Sequence, residues 1–273
     1  MRKVVDSNFL QSRGLREYLS KSTQNYVVLT DCAAMEAYKG NTLASIYRSM
    51  EILARHPKQI IVLKGTQAVC GLKGRGAGLQ RRLIDERQTR GFDEYCQHLL
   101  AAKRGDVSLQ NQLLDLGREA TAHMDRMLAD AANFPSAIDE VAKTYTNAEV
   151  RILRKGSKFT NEMIDKLIQN ILLLAAYLFK DHPRVTKLPD AVELPNTFIF
   201  RSALCAYLLS LRWISVGGAR NIRSERMRND IVDVNFAAYA TYFDGLLTAD
   251  QKLNEIYREA AFLLHMIFAA KTT

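Results

Sequence analysis

The sequence is short of the residues that build several kinds of site. Its four cysteines, Cys32, Cys70, Cys96 and Cys205, stand far apart, with no C-x-x-C pair and no Cys/His ligand cluster. That argues against a zinc site and against the disulfide framework of a small secreted domain. The five histidines, His56, His98, His123, His182 and His265, are scattered, with no Ser/His/Asp or Cys/His arrangement for nucleophilic catalysis. No apolar run approaches the roughly 20 residues needed to span a bilayer. The strongest, LIQNILLLAAYLF at Leu167–Phe179, lies between Lys166 and Lys180 and reads as a buried helix. The opening MRKVVDSNFL has an acid at Asp6 and no long apolar stretch, so it does not read as a signal peptide. The expected compartment is the cytoplasm, with no membrane partner. The fragment GRGAG (Gly74–Gly78) lacks the G-K-[ST] of a phosphate-binding loop and is not a dinucleotide fingerprint.

What is present is a chain of 273 residues, 48% of them hydrophobic, which is enough for a real core. Lysine and arginine number 38 against 29 acids, a formal net charge of +9. A basic balance points to a polyanionic partner, nucleic acid ahead of an anionic surface.

Three short runs near the start, Lys3–Asp6, Tyr26–Asp31 and Gln59–Gly65, are rich in Val and Ile and do not alternate. That pattern suits strands buried on both faces of a parallel sheet. Helical patterns lie between them (SRGLREYLSK, and NTLASIYRSMEILARHP with Asn41 or Thr42 as its cap), so the fold class is α/β. From Phe92 to about Ile214 the periodicity is helical nearly throughout, with Pro183, Pro189 and Pro195 in a connector. Gly217-Gly218 closes this stretch, and a helix, a short strand (GLLTAD) and a last helix follow. The expected organisation is an α/β domain made from residues 1–91 and 217–273, with an all-helical insertion at residues 92–216.

Ligands of parallel α/β sheets sit at the carboxyl ends of the strands. The first strand ends at Asp6 and the second at Asp31, with Glu36 just beyond in CAAMEAY. Later in the chain, Asn229, Asp230 and Asp233 share one helical face. Asp244 is about three turns, roughly 16 Å, further on and cannot join them. Gly245 is the expected left-handed end of that helix. LLTAD then returns as a strand of roughly 16 Å, which brings Asp250 back to the level of Asp233. Asp6, Glu36, Asp233 and Asp250 therefore converge, with Asp31 and Asp230 as auxiliaries. Clustered carboxylates repel, and a hard divalent cation removes that penalty; all-oxygen ligation favours Mg²⁺ or Mn²⁺. A metal site of this kind hydrolyses phosphodiesters. The competing reading is structural: Asp6, Asp31 and Asp250 are also suited to cap the helices that follow them.

VVDSN at the N-terminus, the acid in TDCAAMEAY, and the late DVNFAAYATYFDGLLTAD together resemble the PIN-domain nucleases, over roughly residues 1–65 and 217–252. The resemblance implies an α/β/α sandwich with a parallel sheet and divalent-metal hydrolysis of nucleic acid, most often RNA. It implies Asp6, Glu36, Asp233 and Asp250 as the first to fourth acids, with Ser7 and Thr248 at the accompanying hydroxyl positions. Asp31 and Asp230 leave the second and third assignments open by one residue each. The family is about half this length in its small members, and the helical middle has no counterpart in it. A toxin or antiphage effector is a setting the resemblance supplies.

The segment from Lys64 to Arg90 is glycine-rich and basic, and its Lys73, Arg75, Arg81 and Arg82 are candidates for gripping a nucleic-acid backbone. A second run, ARNIRSERMR, offers Arg220, Arg223, Arg226 and Arg228 directly ahead of Asp230, and RILRKGSK (Arg151–Lys158) adds a third. Trp213 reads as core. The stripe from Phe198 to Ile214 reads as a buried helix that also permits dimerisation. The expectation is a metal-dependent endoribonuclease, a phosphodiesterase with RNA favoured over DNA. Its helical insertion would recognise structured RNA or meet a protein inhibitor, an activator or a second copy. Two alternatives stand beside it: a non-catalytic module that binds nucleic acid or protein through the same fold, and a DNA flap-type nuclease.

Overall fold

The computed structural model describes residues 1–39, 42–131, 134–180, 182–218 and 223–267. The chain is mainly helical around a small, wholly parallel sheet. Its strands are β1 (Arg2–Val5), β2 (Tyr26–Leu29), β3 (Ile60–Val62) and β4 (Leu246–Leu247), in the order β3-β2-β1-β4. Val4 pairs with Val28 on one side and Leu246 on the other. Val4, Val5, Val27 and Val28 are fully buried, which is why these runs carry apolar residues at successive positions and not at alternate ones.

Most of the helices begin where a short polar side chain satisfies a free backbone N–H. Ser12 caps α1 (Arg13–Lys21), Thr30 caps α2 (Asp31–Tyr38), and Thr42 caps α3 (Leu43–Ala54); Asn41, the other candidate cap, lies outside the described residues. Two short helices follow β3, α4 (Thr66–Cys70) and α5 (Leu79–Leu83). Asp85 then caps α6 (Glu86–Lys103), which leads into α7 (Val107–Ala131). The helix α6 packs on β3 and α3, and α7 packs on α2. The expected domain boundary between residues 91 and 92 therefore falls inside α6, and the first helices of the expected insertion form part of the sheet's own covering layer.

Beyond them come α8 (Phe134–Lys143), α9 (Asn147–Lys155), α10 (Asn161–Lys180) and α11 (Phe198–Ser215). The chain closes with α12 (Ser224–Ala240) and α13 (Gln251–Met266). Helix α11 is the centre of this half: α8, α9, α10, α12 and α13 all pack on it. It is long and apolar enough to cross a membrane, and 78% of that window is buried inside the protein. The stripe from Phe198 to Ile214 is thus spent on the chain's own core and is not free for dimerisation. Helix α10 corrects the reading of Leu167–Phe179 in the other direction. Only one stripe of it is buried, Met163, Leu167, Ile171, Ala175 and Phe179, while Leu173 and Tyr177 on the opposite side are 68% and 65% exposed.

Helix α12 ends at Ala240, one turn before the expected Asp244. Buried Arg201 explains why: its guanidinium donates to the Thr241 carbonyl at 2.7 Å and to the Thr241 hydroxyl at 3.0 Å, and lies 3.8 Å over the Tyr242 ring. A buried guanidinium needs acceptors, and it takes them from the backbone at this turn. The Asp244 carboxylate accepts from the Arg2 N–H at 2.6 Å, and Gly245, at φ 144°, starts β4 where a side chain would be strained.

Candidate active site

The sheet order has one reversal. From β1 the chain moves outward through β2 to β3, then returns to lay β4 on the other side of β1. The crevice at the carboxyl ends of β1 and β4 is therefore the topological switch point, where open parallel sheets leave room for a ligand. Asp6 directly follows β1, and Thr248 and Asp250 follow β4. The Asp6 N–H donates to the Leu247 carbonyl at 3.0 Å, which locks the two strand ends together.

Asp6 is 1% exposed. One carboxylate oxygen accepts from the Thr248 hydroxyl at 2.8 Å, and the other takes longer contacts from Ser7 Oγ and the Asn8 N–H. Burial nevertheless raises its pKa, Asp250 adds to the rise, and the hydrogen bonds only partly offset it. Glu36, on α2, is also raised, by burial first and then by Asp6, against the lowering influence of Ser7, Lys39 and Arg228. Asp233 is the most perturbed of these acids. Burial and the charges of Asp6, Asp250 and Asp230 push it up to about 8, with Lys252 pulling the other way. Asp250 caps α13, accepting from the Leu253 N–H at 2.9 Å. Asp6 and Asp250 each supply a cap; Asp250 also lines the crevice, whereas Asp6 is buried beneath it and reaches the other acids only through its charge.

The crevice has a volume of about 780 Å³. Arg226, Asn229, Asp230 and Asp233 line it from one face of α12, as their spacing requires, and Glu36, Asp250 and Lys252 close it. Asp230 is 4% exposed; one of its oxygens is in hydrogen-bond contact with Lys252 Nζ, and the other is buried without a hydrogen-bond partner among the described residues. Lys252 was missed in the sequence, although it sits two residues past Asp250 in the first turn of α13. Trp213 is core, as expected, and also borders this site: Arg226 and Lys252 lie over its ring at 5.3 and 5.6 Å.

Asp31 goes elsewhere. Its two oxygens accept from the Thr66 N–H at 2.6 Å and the Thr66 hydroxyl at 2.7 Å, tying the start of α4 to the start of α2. It lines no part of the acidic crevice. The basic candidates divide similarly. Arg226 reaches the acids, and Arg223 is exposed at the start of α12. Arg82 is turned inward, donating to the carbonyls of Lys73, Arg75 and Ala77, where it holds the glycine-rich loop together. Arg81 pairs with Glu86 at 3.2 Å. Lys73 and Arg75 line a separate hollow beside Arg184 and Glu193, into which Gly74 fits because a side chain there would strike the Glu193 backbone. Arg220 lies outside the described residues.

The carboxylates of Glu36, Asp230, Asp233 and Asp250 are donors that suit a hard cation, and among the described residues one Asp230 oxygen and the Asp233 carboxylate accept no hydrogen bond. Lys39, Arg226 and Lys252 in the same lining compete for them. Among the described residues no three Asp, Glu, His or Cys side chains surround one point. The acids feel one another's charge across the crevice without converging on one point.

Comparison with protein-family models, with curated proteins and with solved structures found no match to this chain.

Proposed function

We propose that this protein is a divalent-metal-dependent phosphodiesterase with a PIN-like α/β/α core, an endonuclease acting on RNA in preference to DNA. One observation supports the reading: Asp6, Asp233 and Asp250, from three separate elements at the switch point of a parallel sheet, lie close enough for burial and the charges of the other two to push Asp233 up to about 8. A fold spends stability to hold mutually repelling acids together, and such arrangements cluster at functional sites. Mg²⁺ or Mn²⁺ held by Asp6, Glu36, Asp233 and Asp250 would supply charge neutralisation, a polarised phosphate and an acidified water.

The chain's own residues have separable tasks in this reading. Thr248 fixes the Asp6 carboxylate, so that the first acid needs no rearrangement. Asp233 carries a proton below about pH 8 and is a free carboxylate above it, which makes it the group that answers to cation or proton. Arg226, Lys39 and Lys252 bring positive charge to the same crevice, where a phosphate backbone would approach.

The test is cleavage of labelled single-stranded RNA, tRNA and DNA with Mg²⁺, Mn²⁺ or EDTA, using the wild type and a folded Asp6→Asn/Asp233→Asn double variant. The expected result is metal-dependent cutting of RNA that the variant loses. A second reading, a binding module without chemistry, draws on Lys252 already neutralising Asp230 and on the absence of a ready three-acid point among the described residues. Equal, salt-sensitive RNA binding by both proteins without cutting by either would favour it.

A further inference from the structure

Helix α2 borders a second and larger space. Glu36 and Ala37 line the acidic crevice, whereas Ala34, Met35 and Tyr38 line a cleft of about 1160 Å³ between α2, α6 and α7. Three features of this cleft point to a ligand, and they are independent of the acids.

The first is an unspent proton. The Tyr38 and Tyr95 hydroxyls are 2.7 Å apart, so one donates to the other. Two hydroxyls carry two protons, and that bond uses one. Among the described residues no second acceptor bonds either oxygen, although Tyr38 is only 8% exposed. A donor left over on this part-buried pair, beside apolar Leu29, Met50 and Phe92, is placed to meet an acceptor that enters the cleft.

The second is Gly91, in the middle of the 18-residue α6 and lining the cleft. Its φ is not positive, and a Cβ built there meets nothing within 4 Å. Among the described residues nothing requires glycine at a helix-interior position where alanine is better by about 1 kcal/mol, and the bare backbone there leaves room for close approach from the cleft.

The third is charge at the mouth. Arg87, Arg90 and Arg126 rim the cleft. The Arg87 guanidinium has no hydrogen bond or ion pair among the described residues, while Arg90 donates to the Glu86 carbonyl and Arg126 lies at 3.4 Å from His123. With Glu94 and Glu119 at the same rim, the net charge there is positive.

We infer that this cleft binds a free nucleotide, with its base against Tyr38, Phe92 and Tyr95, a base acceptor on the unspent hydroxyl proton, and its phosphate at Arg87, Arg90 and Arg126. The volume is ample for a molecule of that size. A fatty acid meets the apolar walls and the arginines but offers nothing to the tyrosines at the buried end. A nucleotide meets all three.

The experiment is calorimetric titration, in EDTA, of the full chain with AMP, GMP, CMP and UMP, and with adenosine, inorganic phosphate, laurate and a short single-stranded RNA as comparators. EDTA keeps the result independent of the acidic site, so the proposed cleavage and this binding fail separately. At least one mononucleotide is expected to bind with a Kd below about 100 µM, with adenosine and phosphate each weaker by about tenfold or more. Gly91→Phe fills the cleft and is expected to abolish binding. Arg87→Glu, an exposed change that leaves the core alone, is expected to weaken it by about tenfold, and the double variant Tyr38→Phe/Tyr95→Phe, which removes both hydroxyl protons, to weaken it too. The inference is overturned if no mononucleotide binds, if laurate or the RNA binds and mononucleotides do not, or if Arg87→Glu and Tyr38→Phe/Tyr95→Phe bind as the wild type does.

Discussion

Two strands of this sheet end in the same way and lead to different chemistry. VVD closes β1 with Asp6, and VVLTD follows β2 with Asp31. Both aspartates stand at the carboxyl edge of the sheet beside the start of a helical segment. Asp6 lies at the reversal of strand order, opposite β4, and its neighbours are Thr248, Asp250, Asp233 and Glu36. Asp31 lies where β2 and β3 run on in one direction, and the next segment of chain, at Thr66, reaches it and takes both oxygens. An aspartate after a buried strand becomes part of a candidate site only where the topology leaves the crevice open; elsewhere the following loop claims it.

The comparison breaks most visibly in activity. Asp233→Asn and Asp6→Asn are each expected to reduce metal-dependent cleavage by more than the 10–100-fold typical of outer partners of a metal site, whereas Asp31→Asn keeps cleavage within about tenfold of wild type. Rates on labelled RNA check this. Stability is expected to divide the other way. Asp31→Ala leaves the Thr66 N–H and hydroxyl without their charged acceptor and is expected to lose about 2–3 kcal/mol in urea denaturation, while Asp6→Asn keeps an acceptor for Thr248 and loses less.

The pH dependence sharpens the difference. In the unfolded chain Asp233 ionises near 3.8, and in the folded protein near 8. Between those values the native state holds a proton that the unfolded state has released. The contribution of this group is therefore full below about pH 3.8 and is lost as pH rises through about 8. Denaturation at about pH 5, 7 and 9 is expected to show stability falling across the series in wild type and falling less in Asp233→Asn. The smallest effect belongs to Thr248→Val, expected to lose about 1–2 kcal/mol and to raise the Asp6 pKa further, read by carboxyl NMR shifts.

The sheet and its acids were legible because their signals are local. Buried parallel strands show as unbroken Val/Ile runs, and the helical spacing of Asn229, Asp230 and Asp233 fixes a shared face whatever packs against it. Asp250 does come back to the crevice with Asp233, but not by the expected path: α12 ends at Ala240 and only Leu246–Leu247 form the strand, so the matched helix and strand lengths are not what returns it. What the sequence concealed depends on distant neighbours. LLLAAYLF in α10 and LCAYLLSLRWI in α11 are similarly apolar, yet five helices surround α11 while α10 leaves Leu173 and Tyr177 exposed. Arg82 has the composition of a phosphate contact, but the carbonyls of Lys73, Arg75 and Ala77 in the glycine-rich loop take its guanidinium inward. Lys252 escaped notice because attention to acids passes over the base that balances them.

The most direct test of the account is a calorimetric titration of Mn²⁺ into the wild type, Asp233→Asn and Asp31→Asn, at about pH 8.5 and again at about pH 6. The account predicts that wild type and Asp31→Asn bind the ion alike, more tightly at the higher pH, and that Asp233→Asn loses about tenfold or more in affinity together with that pH dependence. Undiminished binding by Asp233→Asn, or a loss confined to Asp31→Asn, would contradict it.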